Sequence, residues 1–78
     1  MQDFILRGNT YRSSKGEIER LSKNVEPDPV RKYYIDVGDR RYPIKQPIQL
    51  ITGLPRIAYT TMDAYGILRR YGFEIKEV

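Results

Sequence analysis

Carboxylates are the first residues in this chain that could do chemistry. Asp36 and Asp39 stand three apart; with Glu26 or Asp28 upstream and Lys45 downstream, they have the make-up of a metal-dependent nuclease cluster. A plainer assignment is stronger. Asp39 follows Gly38 in a turn, and Asp36 points to solvent from a strand. Hydroxyls at Ser13 and Ser14 have no histidine anywhere in the chain to activate them, and no Ser-x-x-Lys spacing supplies a lysine base. The lack of cysteine excludes disulfides and thiolate metal sites, and with histidine also absent only carboxylates remain as metal ligands, which excludes a structural zinc site. The six glycines are scattered with no Gly-x-Gly among them, so no phosphate cradle for a nucleotide is expected. The chain is therefore expected to be no enzyme, with no catalytic residue, metal or cofactor.

Basic residues are more informative. There are 14 Lys and Arg against 10 Asp and Glu, a net charge of +4, and such an excess favours polyanionic partners. Solubility alone would also account for it. Arg40, Arg41 and Lys45 cluster at and just after a turn, Arg56 lies between two helices, and Arg69 and Arg70 end the last helix. Arg31 and Lys32 open the hairpin. Tyr33, Tyr34, Tyr42, Tyr59 and Tyr71 are interleaved with these groups. Arginine pairs bidentately with phosphates and guanine edges, and tyrosine stacks or bonds to backbone. Most of the seven tyrosines are assigned to core packing with a wet hydroxyl. Arg40, Arg41, Lys45, Arg56, Arg69 and Arg70 are the expected nucleic-acid contacts.

The elements that must position them are legible from spacing. Phe4, Ile5 and Leu6 suit a short strand or packing arm, followed by a turn at Gly8-Asn9. Ser14 and Glu17 have capping-box spacing, and Ile18, Leu21 and Val25 continue a helical period, so a helix is expected over about 15–24. Glu19 and Lys23 are spaced for an ion pair on its wet side. Glu26-Pro27-Asp28-Pro29 cannot stay helical and is the natural linker. Residues 32–37 alternate as a strand, Gly38-Asp39-Arg40 turn, and 41–44 return to make a hairpin. Ile44, Ile48 and Ile51 form the face of a second helix that holds Pro47 in its first turn and stops at Gly53-Leu54-Pro55. Thr60 or Thr61 caps a third helix with Asp63 in its first turn and a buried stripe of Ala64, Ile67, Leu68 and Tyr71. Gly72 ends it, and 73–76 alternate as a last strand.

The fold class is thus α+β: one small domain in which the hairpin and the C-terminal strand form a small antiparallel sheet against two to three short helices. Within 1–78, residues 1–31 read as a variable arm and helix, and 32–76 as the core module. The second and third helices make a loose helix-turn-helix-like pair, although their connector exceeds the usual three or four residues. A chain this short buries only about 60% of its unfolded surface, so a deep active-site cavity is not expected. Nothing approaches the roughly 20 apolar residues of a membrane helix, and no signal peptide is read at the start. A cytoplasmic protein is expected.

Over residues 32–75 the pattern is Tyr34, Asp36, the run Gly38-x-Arg40-Arg41-Tyr42-Pro43-x-Lys45, then Tyr59-Thr60, Ala64 and Leu68-Arg69-Arg70-x-Gly72-Phe73. This resembles the N-terminal head domain of modification-dependent HNH restriction endonucleases, which also occurs in short stand-alone prokaryotic proteins. The resemblance implies an accessory, DNA-associated module without its own active site. HNH cleavage does not carry over, since the chain has no histidine. Tyr42, Pro43 and Lys45 match the run, and Lys45 is the implied phosphate contact.

The leading expectation is a non-catalytic module that binds duplex DNA. The alternative is a protein-interaction or dimerisation module of a small prokaryotic or viral regulatory protein, docking through an apolar patch or a sheet edge. The carboxylate-dependent nuclease comes third.

Overall fold

The computed structural model describes residues 2–78. Its first element is a hairpin of β1 (Gln2–Leu6) and β2 (Asn9–Ser13), paired from Gln2↔Ser13 to Leu6↔Asn9. The loop is Arg7-Gly8, both at positive φ (55° and 80°), as the tightest right-twisting hairpin loops require. The turn therefore comes one residue earlier than Gly8-Asn9 suggests, and residues 9–13 become a strand that the sequence did not announce. Alternation sends Phe4 and Leu6 into the core and leaves Ile5 outside. The Phe4 ring stacks on Tyr11 and meets Tyr71 edge-on, and the Tyr71 hydroxyl donates to the Gln2 carbonyl at 2.6 Å.

Helix α1 (Lys15–Lys23) starts at the Ser14 cap, whose Oγ accepts the Glu17 N–H at 3.1 Å. The Glu17 carboxylate accepts from Ser13 Oγ instead of closing the box. Asn24 is the C-cap, as its position suggests. Glu19 and Lys23 are not among the ion pairs of the described residues. The Lys23 stem runs past Gly38 instead.

Strand β3 (Tyr33–Val37) is central in a three-stranded antiparallel sheet of order β4-β3-β5, with β4 at Arg40–Pro43 and β5 at Lys76–Glu77. Gly38 supplies the positive φ of a tight Gly38-Asp39 loop, so Arg40 leaves the expected turn and pairs with Val37. The last strand begins later than residue 73 for a physical reason. The Gly72 N–H bonds the Arg69 carbonyl and the Phe73 N–H bonds the Leu68 carbonyl, with Gly72 at φ 93°. That is a Schellman cap, which keeps Gly72 and Phe73 occupied in ending the helix.

Helix α2 (Lys45–Thr52) ends at left-handed Gly53, and α3 (Thr61–Arg70) begins at Thr60 with a reciprocal cap to Asp63. The connector, residues 53–60, contains a 3-10 turn at Arg56–Ala58. This is longer than the compact turn of a helix-turn-helix. Ile35, Val37, Tyr42, Ile48, Ala64 and Leu68 form the centre of the core, and Phe4, Leu6 and Ile18 from the first 31 residues belong to the same cluster. The fold is α+β, with three helices and two antiparallel sheets among the described residues.

Candidate nucleic-acid interface

An open groove of roughly 620 Å³ runs between residues 28–33, the end of β4, the start of α2 and the start of α3. One wall is the segment that reads as a linker in the sequence. Buried Gln46 fixes it, since its Oε1 accepts the Asp28 N–H and its Nε2 donates to the Glu26 carbonyl, both at 2.8 Å. The Tyr42 hydroxyl donates to the Val25 carbonyl at 3.1 Å. On the far side Arg56 pairs with Asp28 and donates from Nε to Gln49 at 2.8 Å. The diproline stretch is thus clamped by side chains from β4, α2 and the 3-10 turn.

Arg31, Lys32, Lys45 and Arg56 all line this groove against one carboxylate, Asp28. Arg56 engages that carboxylate, while Arg31, Lys32 and Lys45 have no ion-pair partner among the described residues. Lys45 is held in place by neutral groups. Its ammonium donates to the Arg56 carbonyl at 3.3 Å and lies 5.6 Å from the Tyr59 ring centre. One of its three N–H donors is so used, and the others remain available to an anion. Tyr59 is buried beneath, its hydroxyl donating to the Lys45 carbonyl at 2.8 Å, and burial pushes its pKa up to about 12.

The aromatic border of the groove is continuous. Tyr33 lines it and meets Tyr65 edge-on at 5.3 Å between ring centres. Lys32 lies 5.1 Å from the Tyr33 ring and Arg69 5.9 Å from the Tyr65 ring. Arg69 is thereby joined to the groove through two tyrosines.

The six arginines and lysines expected to act together are divided by the structure. Lys45 and Arg56 share the groove, and Arg69 lies outside its lining, beside Tyr65. Arg40 and Arg41 are neighbours on β4, so alternation sends them to opposite faces. Arg41 shares a face with groove-lining Pro43 and covers the Tyr34 ring at 4.8 Å. Arg40 turns the other way, beside Tyr42, and reaches the Val25 carbonyl at 3.4 Å. The Tyr42 phenol, and then Glu26, hold the Arg40 pKa above its ordinary value. Its place is that of a wall clamp. Arg70 is exposed about 100° around α3 from Arg69, with no contact to the groove. Arg31 and Lys32 are groove residues missing from the sequence-based set, and Tyr65, behind Tyr33, is a neighbour of the groove missing from it too. The run Arg31-Lys32-Tyr33 was the signal for the first two, whereas Tyr65 is found only once the sheet packs on α3.

The carboxylates do not assemble. Asp36 pairs with Lys76 at 2.6 Å, Asp28 with Arg56, and among the described residues no three acidic groups gather as a metal site. Among the same residues no helix is long and apolar enough to cross a membrane.

No curated protein and no solved structure matches the chain. The pattern of one protein family does match, over residues 4–78, from the first buried ring of the N-terminal hairpin to the end of the chain; the chain belongs to the SCO5918-like family.

Proposed function

We propose that this chain is a non-catalytic nucleic-acid-binding module that grips backbone phosphates in the basic groove. The convergence of Arg31, Lys32 and Lys45 on one recess, with the single carboxylate there already engaged by Arg56, carries the reading. Unpaired cations facing a common space repel each other, and an anion relieves that repulsion. Arg69 lies nearby, over the Tyr65 ring that meets groove-lining Tyr33. A non-catalytic role is supported by the carboxylates, since Asp28, Asp36 and Asp63 are each occupied in structural contacts. It also agrees with the accessory, DNA-associated role implied by the resemblance to the head domain of HNH restriction endonucleases. DNA is the proposed polymer on that account.

A protein-docking role is favoured by one separate observation. Ile57 is 93% and Met62 62% exposed, close together in sequence at the entry to α3. Binding of nucleic acid with no effect of an Ile57→Ser/Met62→Ser variant would assign that patch to something else.

The decisive measurement is fluorescence anisotropy with labelled duplex and single-stranded DNA over a range of salt, for the natural chain and a Lys32→Ala/Lys45→Ala variant. Binding should weaken steeply from about 50 to 200 mM salt. In the variant, affinity should fall at least tenfold, and the log–log salt slope should shrink by about 1.5, since each lost phosphate contact removes about 0.7–0.9. No binding to either form at low salt would overturn the proposal.

A further inference from the structure

We infer that the occupant of the groove is an unpaired strand, so that the module prefers single-stranded nucleic acid to duplex; this rests on the nucleic-acid reading above. The first argument is shape. At roughly 620 Å³ the groove falls in the range of about 300–1,000 Å³ of recesses that enclose small molecules. A flexible strand can feed a phosphate and its base into such a space. A duplex carries its phosphates on a stiff convex surface and would bridge the mouth. The element that could enter a duplex groove, α3, is joined to α2 by the extended connector 53–60, unlike a helix-turn-helix.

The second argument is the lining. Between the cations lie Pro29, Tyr33, Pro43 and Ile44. The backbone of a duplex offers phosphate and sugar to a protein, and its base faces are stacked away from any aromatic ring. An unpaired base offers an apolar face of the same character. Beside the groove, Tyr33 and Tyr65 are half-buried rings in edge-to-face contact, and a cation borders each ring. Cationic groups that track the backbone, combined with rings that receive bases, are how single strands are held without sequence preference. Lys32 and Arg69 end in flexible stems, so a base can take a place against a ring while the cation shifts to the adjoining phosphate.

The test measures anisotropy for a labelled mixed-sequence single strand and for the duplex of the same strand, with heparin as an aromatic-free polyanion competitor. The proteins are the natural chain, Tyr65→Leu, Tyr65→Phe and Lys32→Ala. The single strand should bind at least tenfold tighter than the duplex. Tyr65→Leu should weaken single-strand binding about tenfold, as loss of one stacked base does, and leave duplex binding unchanged. Tyr65→Phe should keep the natural affinity. Lys32→Ala, an exposed change that spares the fold, should weaken both. Equal or tighter duplex binding would overturn the inference and leave the nucleic-acid reading standing. A Tyr65→Leu protein that is folded by circular dichroism and binds single strands like the natural chain would do the same. Binding of heparin alone would overturn both.

Discussion

The N-terminal hairpin and the basic groove handle charge in opposite ways. On the hairpin strands Asp3 and Arg12 face each other across β1 and β2 at 2.7 Å, leaving only Arg7 of the turn outside the ion pairs of the described residues, and Arg12 holds the Asp3 pKa below its ordinary value. Across β3 and β5 of the three-stranded sheet, Asp36 and Lys76 do likewise. At the groove, four cations meet one carboxylate, and three of them are in none of the ion pairs of the described residues. The groove lining thus holds a local surplus of positive charge. One region spends its side chains on internal contacts, and the other leaves cations to be satisfied from outside. Internal pairing serves the fold, and unpaired concentration serves binding at some cost to it.

The contrast is most sharply tested by stability. Phe4 is buried at the root of the hairpin, against Tyr11 and Tyr71. Truncation there removes a ring from a small core, and Phe4→Ala should cost about 3–5 kcal/mol in denaturant unfolding, enough to leave much of the protein unfolded. An Arg31→Ala/Lys32→Ala variant should stay within about 0.5 kcal/mol of the natural chain, or gain slightly as like charges are removed. If the groove variant lost as much stability as Phe4→Ala, the division between a folding region and a binding region would be wrong.

Much of this architecture was legible because it depends on local chemistry. The Thr60–Asp63 cap, the Gly53 and Gly72 stops and the Ile44-Ile48-Ile51 face are decided within one or two helical turns. The second strand of the first hairpin was not legible, because its loop needs a left-handed Arg7, a conformation that arginine does not advertise. The site was half legible. Composition gave a basic excess and seven tyrosines, most of them assigned to the core. Which arginines share a face depends on register, and a single step of alternation sends Arg41 toward the groove side and Arg40 to the Val25 carbonyl. Likewise Glu26-Pro27-Asp28-Pro29 read as a linker because prolines exclude helix. It is a wall because Gln46, some twenty residues on, bonds both its ends.

That wall gives the next largest effect. Gln46 carries no charge and lies beneath the surface, so Gln46→Ala changes no electrostatic contact with a ligand. It removes the part-buried bonds to the Asp28 N–H and the Glu26 carbonyl, about 1–3 kcal/mol for the two together at about 0.5–1.5 kcal/mol each. Stability should fall by that amount, and DNA affinity should fall with it as the 26–31 segment loosens and Arg31 and Lys32 lose their common direction. The salt slope should hold nearly constant, in contrast to Lys32→Ala/Lys45→Ala. Anisotropy at two salt concentrations, beside a denaturant curve, separates the two. An unchanged affinity in a destabilised Gln46→Ala protein would mean that the wall does not orient the cations.

The smallest effect is confined to high pH and asks whether the floor of the groove is as firmly built as the hairpin root. Tyr59 lies under Lys45, its hydroxyl on the Lys45 carbonyl, and burial raises its pKa from 10.0 to about 12. The folded state thus favours the neutral phenol more than the unfolded state does. The stabilisation is fully present below about pH 10 and is lost as pH rises through about 12. Phenolate absorbance should show a late-titrating tyrosine, and Tyr59→Phe should remove that step. The variant should also lose part of the alkaline fall in stability, while its stability near neutral pH should drop by about 1 kcal/mol for the missing hydrogen bond. A Tyr59 that titrated near its ordinary value of 10.0 would mean that water reaches the base of α2, and Lys45 would then be a mobile cation at the rim instead of a positioned one.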